Sequence, residues 1–176
     1  MHGERWVAIR EAFEPHFTFR IVKDLRDIIE SQVDDWSRNL CQTLGSQLKD
    51  QQSFQIEALE ATKLLPFKIV SLVCFGELLK DGNNMHTLLS LVALHDQVFA
   101  NATFNEFAKF YGYRYLPWTN ANKDLTAYKT KWKSFCHHMV SSSKSQGYSS
   151  PAVETYSYVG SKISEEEWLQ SISSQI

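Results

Sequence analysis

The chain has little of what punctuates or staples a fold. Seven glycines and four prolines are spread over 176 residues. That is too few for many short strands and tight turns, and it predicts long helices. Its three cysteines, Cys41, Cys74 and Cys136, are odd in number and widely spaced. They form neither a disulfide framework nor a zinc pattern, and they predict free thiols in a reducing setting. No apolar run reaches the roughly 18 residues that would span a bilayer, and the first residues are amphipathic where a signal peptide would be apolar. With a net charge of −2, the chain carries no electrostatic footprint for nucleic acid. The G-x-S-x-G elbow, the P-loop, G-x-G-x-x-G and H-E-x-x-H are all absent.

What is present is an ordinary globular composition, 43% hydrophobic and 22% charged, in a length suited to one domain over 1–176 with a substantial core. Glu4 to Phe13 reads as a helix stopped by Pro15. From Phe19 to Leu44, Ile21, Leu25, Ile28, Ile29, Val33, Trp36, Leu40 and Leu44 recur at three and four residues, the stripe of an amphipathic helix. Asp50–Ser53 reads as a linker and Phe54–Ile56 as a short strand. Glu57–Phe75 is an apolar core helix with a kink or break expected at Pro66. Gly76 and Lys80–Asn84 bracket a turn, and Met85–Phe110 is a further helix or helix pair. Tyr111–Trp118, "YGYRYLPW", reads as an aromatic loop. Leu125–Val140 is helical, and the serine-rich Ser141–Pro151 is expected to be a flexible loop. Val153–Val159 reads as a short helix. Ser164 and Glu167 then form a capping box that opens the last helix, with Glu165 and Glu166 suited to its N-terminus. The fold class is mainly α.

Few residues offer chemistry. His137 and His138 are adjacent on a helix and point about 100° apart, so they do not ligate one metal from one face. His86 and His95 have no carboxylate or cysteine arranged with them. Asn101-Ala102-Thr103 fits a glycosylation sequon but has no secretory signal to accompany it. The aromatic loop could stack bases or sugars, or cap a helical core. Trp6 and Arg10, at i and i+4, share one helix face. They make either a cation–π surface pair or two donors, an indole N–H and a guanidinium fork, aimed at one anion.

The run from Trp6 to Phe17, "WVAIREAFEPHF", resembles the helix-C signature of the cytochrome P-450 superfamily of haem-thiolate monooxygenases. That signature is W-x-x-x-R followed by a proline and an aromatic, matched by Trp6, Arg10, Pro15 and Phe17. Leu64–Glu77 resembles the family's helix E, and Lys162–Ser171 the segment opening its long central helix I. Phe19–Leu44, Met85–Phe110, "RYLPW" and Leu125–Val140 follow the order of helix D, helix F, the F–G connection and helix G. The resemblance covers nearly the whole chain and is closest to fungal members.

The resemblance implies a partial P-450-like helical fold, without the N-terminal β-rich part and the C-terminal haem-cysteine part. It implies haem as the family's cofactor, with Trp6 and Arg10 holding a propionate. Phe99, Phe104, Phe107, Tyr113 and Leu116 are expected to shape substrate access. The expected partners are a small organic, secondary-metabolite-like substrate and an electron-donating reductase. Eukaryotic members are usually anchored to the endoplasmic-reticulum membrane, and no anchor is expected in this chain. The departures are specific. No F-x-x-G-x-[RH]-x-C-x-G occurs: Cys74 has Phe67 and Gly76 in register, but Val70 stands where the glycine belongs and Leu72 where the basic residue does. No E-x-x-R occurs either. The helix I acid–Thr pair is expected beyond Ile176, and the tail "SISSQI" departs from the run expected there. The expectation is therefore a truncated chain with no catalytic residues or metal ligands of its own, inactive and not stably holding haem. The competing expectation is a non-catalytic helical interaction protein or a pseudogene product, in which Trp6 and Arg10 are incidental.

Overall fold

The computed structural model describes residues 3–16, 18, 23, 26–47, 58–104 and 116–175. In chain order the α-helices are α1 (Glu4–Phe13), α2 (Arg26–Gln47), α3 (Ala58–Phe75), α4 (Gly82–Phe104), α5 (Asn120–Gln146), α6 (Pro151–Tyr156) and α7 (Glu165–Gln175). Short 3-10 helices follow α1 at Glu14–His16 and α3 at Gly76–Lys80. Among the described residues there is no strand, only an isolated bridge between Val159 and Ile163. The fold is mainly α, as the scarcity of glycine and proline predicts.

The chain divides into two compact units, residues 1–76 with 149–176 and residues 77–148. In the first, α3 packs on α2 and α6, and α1 packs on α6 and α7. Its core gathers Ala12 and Phe13 from α1, Leu72, Cys74 and Phe75 from α3, Ala152 and Thr155 from α6, and Trp168 and Ile172 from α7. Trp168 is fully buried, and its indole N–H donates to the Thr155 hydroxyl at 3.0 Å. The Tyr156 ring meets it edge-on at 4.9 Å. Burying so large a ring stabilises the unit by on the order of 3 kcal/mol, and the hydrogen bond spares the indole N–H its desolvation cost.

The second unit is built on α4 packed against α5. Its buried residues include Leu88 and Leu91 on α4 and Trp132, Phe135, Cys136 and Met139 on α5. An aromatic column of His95, Tyr128, Trp132 and Phe135 runs along it, with ring centroids 5.4, 6.3 and 6.0 Å apart. Asn101 and Gln97 on α4 both donate to Asp124 on α5, at 2.9 and 3.3 Å. The sequon asparagine is thus a structural hydrogen-bond donor between two helices.

Several boundaries differ from the sequence reading. Ser141–Gln146 is not a loop but the last turns of α5. The helix ends at Gly147, whose φ of 72° is left-handed; the Tyr148 N–H reaches the Ser143 carbonyl at 2.9 Å and the Gly147 N–H reaches Lys144. This is a Schellman cap, and its geometry outweighs the helix-weakening tendency of serine. Ser141 and Ser145 hydroxyls bond back to the carbonyls three residues earlier, so they do not compete from outside the helix. The helix also continues through Pro66, which is exposed and inside α3. The lost amide therefore lies on a solvent-facing side and no break follows. The turn after Phe75 is a 3-10 helix, α4 begins at Gly82, and the short helix begins two residues early at Pro151, capped by Ser150. The linker at 50–53, the strand at 54–56, most of the helix start at 19–25 and the segment 105–115 lie outside the described residues.

Candidate functional site

The candidate site lies on the exposed side of α1. The buried side of this helix is supplied by Ala12 and Phe13 near its C-terminal end, while Trp6 and Val7 are 45% and 46% exposed. One helical turn brings Arg10 back over Trp6, and the guanidinium carbon lies 5.3 Å from the ring centroid. This is cation–π geometry. The guanidinium does not end there. Its Nε and Nη2 donate to the two carboxylate oxygens of Glu14 at 3.1 and 3.2 Å, a bidentate pair one further turn along. Sequence reasoning placed Trp6 and Arg10 on one face but did not include Glu14, whose i+4 spacing from Arg10 was the available signal.

The donor set fits a carboxylate-bearing ligand. The fork already holds one carboxylate, that of Glu14, in the two-point geometry such a ligand would use. Trp6 itself is 45% exposed, and its indole carries one N–H donor. A ligand carboxylate would have to displace Glu14, which is exposed and on the short 3-10 helix after α1.

Arg5 ties the same helix to α7. Its Nε donates to Glu167 Oε1 at 2.6 Å. The other Glu167 oxygen takes the Ser164 backbone N–H at 2.8 Å and the Ser164 hydroxyl at 2.7 Å, while the Glu167 N–H returns to the Ser164 hydroxyl at 3.3 Å. The capping box read from the sequence is therefore formed. Arg5, followed by the Ser164 donors, holds the Glu167 carboxyl down from an ordinary 4.5 to about 2. An open groove of about 490 Å³ runs beside this pair, lined by Glu4, Arg5, Ala8, the turn at 160–164 and Glu167. Lys162 in that turn extends over the Tyr158 ring, 5.0 Å from its centroid.

The other expected site residues fall elsewhere. Phe99 on α4 is 60% exposed and Leu116, just before α5, is 37% exposed. Both belong to the second unit. Phe107 and Tyr113, and the side chain of Phe104, lie outside the described residues. Among the cysteines, Cys41 is exposed and Cys74 and Cys136 are buried. Burial pushes the Cys74 thiol up to about 12, so at neutral pH it is a protonated core side chain rather than a thiolate ligand. Among the described residues, no three His, Cys, Asp or Glu side chains converge on a metal position, and no helix is long and apolar enough to cross a membrane.

No family model matches the chain, and no solved structure matches it. Three curated relatives do. Over 157 residues, 88% of this chain, it is 25% identical to the cytochrome P-450 monooxygenase apdB of Emericella nidulans. Over 155 residues, also 88% of the chain, it is 22% identical to the cytochrome P-450 monooxygenase opdB of Penicillium oxalicum. Over 172 residues, 97% of the chain, it is 19% identical to the cytochrome P-450 monooxygenase PUL2 of Kluyveromyces lactis. The chain spans 29–32% of the length of these relatives. The matches support a distant relationship between this chain and the cytochrome P-450 monooxygenases.

Proposed function

We propose that this chain forms the helix C to early helix I region of a fungal-type cytochrome P-450 monooxygenase, and that Trp6 and Arg10 form its anchor for a haem propionate. The observation that carries the reading is the Trp6–Arg10 pair: an exposed indole and a carboxylate-binding fork one turn apart on α1. The similarity to P-450 monooxygenases along nearly the whole chain supports it. In that setting haem supplies dioxygen activation for oxidation of a small organic substrate, with electrons from a reductase. This chain's part is to bind and orient. Arg10 neutralises and grips the carboxylate, and Trp6 adds a directional donor and stacks on the guanidinium. The axial thiolate comes from none of the three cysteines: Cys74 is neutral and helical, and none of them sits in the family's cysteine-loop pattern. The chain by itself is accordingly inactive in oxidation.

The engagement of Arg10 by Glu14 favours the second reading, a helical interaction protein in which the pair is only a surface contact. Titration of the chain with iron protoporphyrin IX, read by tryptophan quenching, separates them. On the anchor reading, Arg10→Gln weakens binding about tenfold or more, since a hydrogen bond to a charged group contributes about 1.5–3 kcal/mol. Trp6→Phe, which keeps the ring and removes the N–H, weakens it about threefold. Equal binding by all three chains contradicts the anchor.

A further inference from the structure

The N-terminal half of α1 is held differently from its C-terminal end. Ala12 and Phe13 are buried at that end, whereas Glu4, Arg5, Trp6 and Val7 are exposed. Beside this half an open groove, not packed side chains, faces the turn at 160–164. A side-chain bond crosses from α1 to α7 in the pair of Arg5 and Glu167. The two partners are unequal. Arg5 is 75% exposed, while the Glu167 side chain is 13% exposed. Glu167 is fixed from behind: its second oxygen is taken by Ser164, and the next residue, Trp168, is buried and bonded to Thr155 on α6. Trp6 follows Arg5 directly in the chain.

We propose that Glu167 is a positioning residue for the Trp6–Arg10 face: its anchored carboxylate draws in Arg5 and sets where the N-terminal half of α1 stands against α7. The proposal rests on the reading of Trp6 and Arg10 as an anion anchor. The other charged groups lining the groove do not replace the tie. Glu4 shares the sign of Glu167, and Lys162 is stacked on Tyr158. An exposed ion pair contributes little to global stability because water screens it. Its effect falls on orientation, and a displacement of about 1 Å in a donor is enough to cost a binding site much of its grip.

The test uses the full 176-residue chain, iron protoporphyrin IX as the probe, and hydrogen exchange at the α1 amides as a second readout. Arg5→Gln is expected to weaken porphyrin binding about five- to tenfold and to speed exchange at residues 7–10, with the denaturation midpoint at neutral pH lowered only slightly, because water screens the pair. Arg5→Lys restores most of both, because the native bond uses a single donor. Ser164→Ala loosens the start of α7 but leaves the Ser164 backbone N–H on Glu167. It is expected to speed exchange in α7 and change porphyrin affinity less than about twofold. Native affinity in Arg5→Gln, beside loss in Arg10→Gln, overturns the positioning role and leaves the anion site standing. Native affinity in Arg10→Gln, or no saturable binding by the unaltered chain, overturns the anion site and this proposal with it.

Discussion

At the scale of single residues, burial and partners separate side chains that look alike in the sequence. Glu165, Glu166 and Glu167 are three consecutive acids, yet the carboxyl of Glu167 is held down to about 2 by Arg5 and Ser164. A carboxyl lowered on folding contributes stability that is fully present above its ordinary value of 4.5 and is lost as pH falls through 2. Carbon NMR of the Glu167 carboxyl is expected to titrate near 2, and to move back up toward the ordinary value in Arg5→Gln. An ordinary midpoint in the unaltered chain contradicts the tie. The cysteines separate in the same way. A thiol reagent is expected to label Cys41 in the native protein and to reach Cys74 and Cys136 only on unfolding; rapid native labelling of Cys74 contradicts the described core. The shared face of Trp6 and Arg10 was legible at this scale because i,i+4 spacing is a local rule. Arg5 with Glu167 was not, since 162 residues separate them and no local pattern joins a residue to its tertiary partner.

At the scale of elements, caps decide more than composition. The capping box at Ser164 was legible because its two partners stand three residues apart. The end of α5 was misread because four serines within Ser141–Ser145 outweighed Gly147 in the sequence reading, whereas in the fold Gly147 closes the helix two turns later than Val140. Pro66 was misread in the opposite direction: helix breaking is a strong average rule, but packing of the apolar half of α3 on α6 keeps the helix continuous. Gly147 and Gly76 both have φ of 72°, and their alanine variants distinguish backbone strain from crowding. A Cβ at Gly147 meets nothing within 4 Å, so Gly147→Ala is expected to cost about 1 kcal/mol from the left-handed backbone alone. A Cβ at Gly76 meets the Ser150 Cβ at 3.3 Å and the Ser149 carbonyl at 3.7 Å. Gly76→Ala is therefore expected to destabilise more than Gly147→Ala in denaturant unfolding, and the reverse order contradicts the packing described around Ser150.

At the scale of the whole molecule, α-helices were legible from long apolar periodicity and few breakers, and the division into two units was not. The boundaries near 76 and 149 coincide with the turn read at Gly76 and the serine-rich stretch ending at Pro151, but such signals mark any turn between helices and do not by themselves divide a chain. The helix stripe of α2 shows the other limit of pattern reading. Ile28, Ile29, Trp36 and Leu40 are only half-buried and Val33 is 39% exposed: periodicity identifies which face is apolar, not how far it is covered. The functional account rests on a smaller feature, the capacity of α1 to hold a carboxylate in place of Glu14. The most direct measurement compares iron protoporphyrin IX with its dimethyl ester in titrations of the same chain. If Trp6 and Arg10 anchor a propionate, the free acid binds at least about tenfold more tightly than the ester, and Arg10→Gln removes that preference. Equal affinity for acid and ester, unchanged by Arg10→Gln, contradicts the account.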